Sequence, residues 1–167
     1  MRWIRLIVIC LVAILGATAF AQQPASAPVP PALTSAKSVF VSNAGSDSGL
    51  FPHPFSGAPD RAYNEFYDGM KGLGRFDLVS DPSQADLVLE LQLTAPNGPK
   101  DADKAKGGSD PLPMLRLVIW DRRSHFVLWA LTESVDKANL QKTHDKNFDD
   151  AISSLVKDLE RIAGTKP

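Results

Sequence analysis

Asp86-Leu87-Val88-Leu89-Glu90-Leu91-Gln92-Leu93-Thr94 places a leucine at every second position, 87, 89, 91 and 93. Successive side chains of a β-strand point to opposite faces of a sheet, so the four leucines share one face. Glu90, Gln92 and Thr94 fall on the other. Such alternation belongs to a strand with one covered face, and apolar elements elsewhere in the chain must supply the cover.

Two segments can do so. Phe148, Ala151, Ile152, Leu155, Val156, Leu159, Ile162 and Ala163 recur at helical spacing, with Asp149, Asp150, Lys157, Asp158 and Glu160 opposite. This predicts an amphipathic helix of about five turns closed by Gly164. Upstream, Pro59 suits the first turn of a helix. Ala62, Tyr63, Phe66, Tyr67, Met70 and Leu73 then form a second apolar stripe that Gly72 and Gly74 stop.

The other strands follow from shorter patterns. Lys37-Ser38-Val39-Phe40-Val41-Ser42 is β-branched and short, and a loop rich in Gly, Ser, Asn and Pro runs from Asn43 to Gly57. Arg75-Phe76-Asp77-Leu78-Val79 alternates. Asp81-Pro82-Ser83-Gln84 has the residues of one helical turn, with Asp81 as N-cap, Pro82 at the first position and Gln84 able to close a capping box. After a polar loop from Ala95 to Pro113, Met114 to Trp120 and Phe126 to Val135 read as a hairpin turning at Asp121-Arg122-Arg123-Ser124. The order is β-α-β-β-β-β-α. It predicts an α+β two-layer sandwich, a mixed sheet of four to five strands with two helices on one face. The first strand–helix–strand unit is expected to cross over right-handed.

The 167 residues suit one domain, and 44% hydrophobic with 22% charged residues is a globular composition. Residues 1–21 read as a signal peptide. Arg2 and Arg5 form its positive start, Leu6 to Leu15 its apolar run, and Ala19-Phe20-Ala21 fits a cut before Gln22. The apolar stretch from Leu6 to Ala21 is shorter than the roughly twenty residues that span a bilayer, so no stable membrane span remains after cleavage. Cys10 sits inside this run behind Val8-Ile9, not behind a small residue, so it reads as filler and not as a lipid-accepting terminus. The mature chain then has no cysteine and forms no disulfide.

Residues 22–36 are rich in Pro, Ala, Ser and Gln. Prolines at 24, 28, 30 and 31 are expected to exclude a helix and leave an extended linker. The domain proper is then 37–164. Loss of two arginines takes the formal charge from −1 to −3. Lys100, Lys104 and Lys106 are interleaved with Asp101 and Asp103. No basic surface for nucleic acid results.

Gly74-Arg75-Phe76-Asp77-Leu78-Val79 leading into Asp81-Pro82-Ser83-Gln84-Ala85-Asp86-Leu87-Val88-Leu89 resembles a segment of bacterial envelope proteins. So does Val118-Ile119-Trp120-Asp121 leading to Val127-Leu128-Trp129-Ala130. The plan from Ser38 to Ala163 is similar to small α/β domains of the TolB amino-terminal, CsgG and penicillin-binding-protein-activator (LpoB-like) kind. That resemblance implies an adaptor fold and carries no catalytic residues.

Nothing local writes an enzyme. His53, His125 and His144 lack a second histidine at metal-ligand spacing. Asn43-Ala44-Gly45-Ser46-Asp47-Ser48-Gly49 is not a nucleophile elbow. No cofactor is expected. The apolar cluster Leu50, Phe51 and Phe55 in a proline-bearing loop must either fold back over a sheet edge or find a partner. Trp120 and Trp129, on neighbouring strands, raise the same question for the sheet face that helices leave open, beside the simpler reading of a hairpin-stabilising pair. The leading expectation is a periplasmic or secreted, non-enzymatic module contacting another envelope protein through these residues. The alternatives are a hydrolase or small-ligand protein with a site assembled from distant residues, the histidines among them, and a structural domain that self-associates through a sheet edge.

Overall fold

In the computed structural model, which describes residues 27–47, 49–96 and 112–164, the leucine strand is the middle of a five-stranded sheet. Its strands are β1 (Ser38–Ser46), β2 (Asp77–Leu78), β3 (Leu87–Thr94), β4 (Met114–Asp121) and β5 (Val127–Ser134). The order is β2-β1-β3-β4-β5. β1 runs parallel to β2 and β3, while β3–β4 and β4–β5 are antiparallel. The helices are α1 (Pro31–Ser35), α2 (Arg61–Leu73) and α3 (Gln141–Ala163). This is the expected α+β two-layer arrangement. No helix among the described residues is long and apolar enough to cross a membrane. The signal-peptide assignment falls outside the described residues.

The register shows why the alternation decides the architecture. Leu89 faces Ile119, Leu91 faces Leu117 and Leu93 faces Leu115, and all six are at most 2% exposed. Val39 and Val41 of β1 continue the row. α3 covers it with Phe148, Ile152, Leu155 and Leu159, and α2 with Ala62, Phe66 and Met70. Gly69 lets the two helices approach, since a Cβ there would meet Val156 Cγ2 at 3.0 Å. Gly74 closes α2 in the left-handed region (φ 61°), its N–H donating to Met70 O at 3.3 Å.

Four expectations need correction. The prolines do not exclude a helix before the sheet. Pro30 and Pro31 occupy the N-cap and first position of α1, where the missing N–H costs nothing. Leu33 (0% exposed) and Ala36 belong to the core, so the packed domain reaches back into residues assigned to the linker. β1 does not stop at Ser42 but continues through an irregularity between Asn43 and Ser46, where Asp47 N bonds Leu93 O at 2.9 Å. α3 begins at Gln141 and has 23 residues. The polar residues ahead of Phe148 concealed its first two turns, because loop residues rather than the sheet engage them.

The fourth concerns the tryptophans. A bulge shifts the β4–β5 register between Ile119 and Trp120, so Trp120 faces Val127 while Trp129 faces Ile119. Trp129 packs toward the helices with Leu131. Trp120 lies on the open face beside Val88. The two are not a pair on one face.

Candidate functional site

The residues that sequence reading could not interpret gather where β1 ends and α3 begins. Arg61, at the start of α2, reaches three carboxylates. Its Nε donates to Glu65 Oε1 (2.6 Å), Nη1 to Asp145 Oδ1 (2.7 Å) and Nη2 to Asp149 Oδ1 (2.6 Å). Nη1 also donates to Ser56 O at 3.0 Å. The guanidinium lies 4.6 Å above the Phe148 ring. One side chain thus ties α2, α3 and the loop after β1 together.

The loop is sewn down further. Ser56 N donates to Asp145 Oδ1 (2.9 Å) and Gln141 Nε2 to Pro54 O (2.6 Å). His53 Nδ1 meets Gln141 Oε1 at 3.1 Å. Burial alone would raise the Asp145 pKa, but the Ser56 N–H, Arg61 and Gln141 outweigh it and hold it at about 2. The native carboxylate therefore resists protonation that the unfolded one accepts. Its stabilising contribution is complete above the ordinary aspartate range and is lost as pH falls toward 2. Asp145→Asn is expected to flatten the decline in stability between about pH 4 and pH 2. Urea midpoints across that range check this, and an equally steep decline in the variant would refute it.

This stitching buries the apolar cluster. Phe55 is 0% exposed and Leu50 3%. Phe55 packs on Phe148 (centroids 5.0 Å apart), on Phe51 (6.1 Å) and edge-on against His144 (6.1 Å). The cluster folds back, so Leu50 and Phe55 are not a free docking surface; burial against α3 gains more than solvent exposure would allow. What they do instead is line a cavity. Leu50, Pro54, Phe55, Pro113, Val135 and His144 line an open apolar pocket of about 230 Å³, with Asp136 and Lys137 at it too. Leu112, next to Pro113 in the chain, is 42% exposed. Leu140, whose carbonyl accepts from His144 N (3.0 Å), is 69% exposed.

A second cleft, about 290 Å³, lies at the other end of the sheet between Lys37, Asp86, Asp121 and Arg123. Its carboxylates are already engaged. Asp86 accepts from the N–H groups of Lys37 (2.9 Å), just before β1, and of Ser38 (3.1 Å), its first residue. Asp121 accepts from Arg123 (2.7 Å) and Ser124 (3.2 Å) in the hairpin turn. These backbone bonds lower both pKa values. The cleft is built from the starts of β1 and β3 and the end of β4.

The three histidines do not converge. His53 and His144 flank the loop end, whereas His125 sits in the hairpin turn with φ 60°. Among the described residues no group of three or more His, Cys, Asp or Glu is placed to hold a metal ion. The site that sequence reading missed is the pocket itself. Pro113, Val135 and His144 come from three separate segments, and no local spacing announces them.

Together these features describe an α+β sandwich with an apolar pocket at one end of its covered face. No family model matches the chain, and no curated protein matches it. Among solved structures, the chain is similar to a PelC dodecamer from Paraburkholderia phytofirmans, at 15% identity over 80% of this chain and 94% of that one, with a TM-score of 0.49. It is also similar to the LpoB C-terminal domain from Salmonella enterica, at 14% identity over 60% of this chain and 83% of that one, with a TM-score of 0.38. At these identities neither residue roles nor partners carry across.

Proposed function

We propose that the chain is exported by residues 1–21 and serves in the periplasm as a non-enzymatic binding domain. Its pocket beneath Leu50 and Phe55 receives an apolar side chain of another envelope protein. The pocket carries this reading. At about 230 Å³ it falls below the roughly 300–1,000 Å³ of sites that enclose a drug-sized molecule, and it suits a single anchoring side chain. Exposed Leu112 and Leu140 beside it extend the apolar surface outward. The segments outside the described residues that follow the leader have little to offer as occupant. Residues 22–26, 97–111 and 165–167 contain no Leu, Ile, Val, Met or aromatic residue.

Ala138 lines the pocket and is half-exposed, so Ala138→Phe fills it with little disturbance of the core. Toluene and 3-methylindole, surrogates for apolar side chains, are expected to shift the NMR signals of Val135 and His144 in the wild type and not in Ala138→Phe. Capture from envelope extract with both forms as bait is expected to retain one partner on the wild type alone. Equal shifts in both forms, or a partner kept by both, would refute the pocket as the binding site.

A further inference from the structure

We infer that two copies of this chain associate by pairing their β5 strands edge to edge. The sheet ends in two unlike edges. β2 has two residues and offers no template, whereas β5 has eight. Among the described residues no strand pairs with the outer side of β5. Val135 N donates to Pro113 O at 2.8 Å. Along an antiparallel ladder, residues bonded to the neighbour alternate with residues turned away. Trp129, Leu131 and Glu133 therefore bond to β4, and the N–H and C=O groups of Ala130, Thr132 and Ser134 face outward.

The usual protections of such an edge are thin here. Val127 to Ser134 contains no lysine and no proline, and Glu133 is its one charge. The bulge opposite Ile119 and Trp120 affects only the start of the strand. Ala130, Thr132 and Ser134 are small enough to admit another backbone. On the helix side, Trp129 and Leu131 are only half-buried.

The pattern of this strand suits a second copy of itself. A two-fold axis through Ala130 sets outward-facing groups against their own kind. It places Trp129 opposite Leu131 of the second copy and Leu131 opposite its Trp129, while Glu133 meets the bulged start of the second strand, where Val127 and Leu128 carry no charge. The two half-buried apolar strips join, and no like charges meet. Moving the axis to Leu131 would set Trp129 against Glu133. Moving it to Glu133 would oppose two glutamates. An axis between residues would set outward groups against inward ones.

Sedimentation of the chain from Gln22 is expected to give a dimer at micromolar concentration. Thr132→Pro removes an outward N–H and no bond within the chain. Ala130→Lys places a charge on the axis. Both are expected to sediment as monomers with unchanged circular dichroism. Oxidation is expected to cross-link Ala130→Cys much faster than Thr132→Cys, since residue 130 meets its own copy and residue 132 meets Leu128. A wild-type monomer throughout, or a dimer that both edge variants leave intact, would overturn the proposal. Faster cross-linking at 132 would overturn the register.

Discussion

Arg75→Met is expected to destabilise the domain by about 3 kcal/mol or more. Arg75 is 5% exposed. Its Nε donates to Gly164 O (3.0 Å), Nη1 to Ala36 O (3.1 Å) and Nη2 to Thr34 O (2.8 Å), with Ala163 O 3.4 Å from Nη2. No carboxylate is among these partners. The positive charge is met instead by the carbonyl end of α3, where the helix dipole is negative, and by the chain leaving α1. Methionine fills similar space but donates nothing, so carbonyls that are closed off from water lose their partners. Denaturant unfolding measures the cost directly, and hydrogen exchange localises it. Protection should fall first in α1 and the last turn of α3. A midpoint shift equivalent to less than about 1 kcal/mol would show that water replaces the guanidinium without penalty.

Phe55→Ala is expected to cost about 3–5 kcal/mol, the range for removing a buried aromatic ring. The ring touches Phe51, Phe148 and His144, and it forms the floor of the pocket. Its loss would enlarge the cavity and free the loop that Arg61 and Asp145 hold. Phe126, 72% exposed in the hairpin, provides the contrast. Phe126→Ala should change stability by less than about 0.5 kcal/mol. If Phe55→Ala proved equally mild, the loop would not be packed as described. Any loss of partner binding in Phe55→Ala must be read against this cost, which is why Ala138→Phe is the better probe of the pocket.

Those two phenylalanines mark where a sequence can be read and where it cannot. The alternation Leu87, Leu89, Leu91 and Leu93 and the stripe from Phe148 to Ala163 repeat with the periods of a strand and a helix. Burial of one face follows from such periods whatever the neighbours are, so the two-layer α+β plan was legible. The capping residues Asp81 and Pro82 were legible for the same reason. Asp81 Oδ1 accepts from Ser83 N at 2.8 Å within three residues, and that contact needs no tertiary information.

Leu50, Phe51 and Phe55 have no period. Whether they fold back or stay exposed depended on Asp145 and Gln141, which reach the loop from 89 and 87 residues along the chain, and on Arg61, which joins the loop to Asp145. The polar start of α3 likewise looked like loop until its side chains were seen to hold one. Trp120 and Trp129 were separated by a single bulge, which reverses the face of every residue beyond it. Arg75 showed only a strand-like alternation, although its partners lie 39 to 89 residues away in the chain. Periodic burial is encoded locally and survives in the sequence alone. The pocket and the clamp around Arg61 are meetings of distant segments, and the outer place of β5 among the described strands follows from sheet order; these come into being only when the chain has folded.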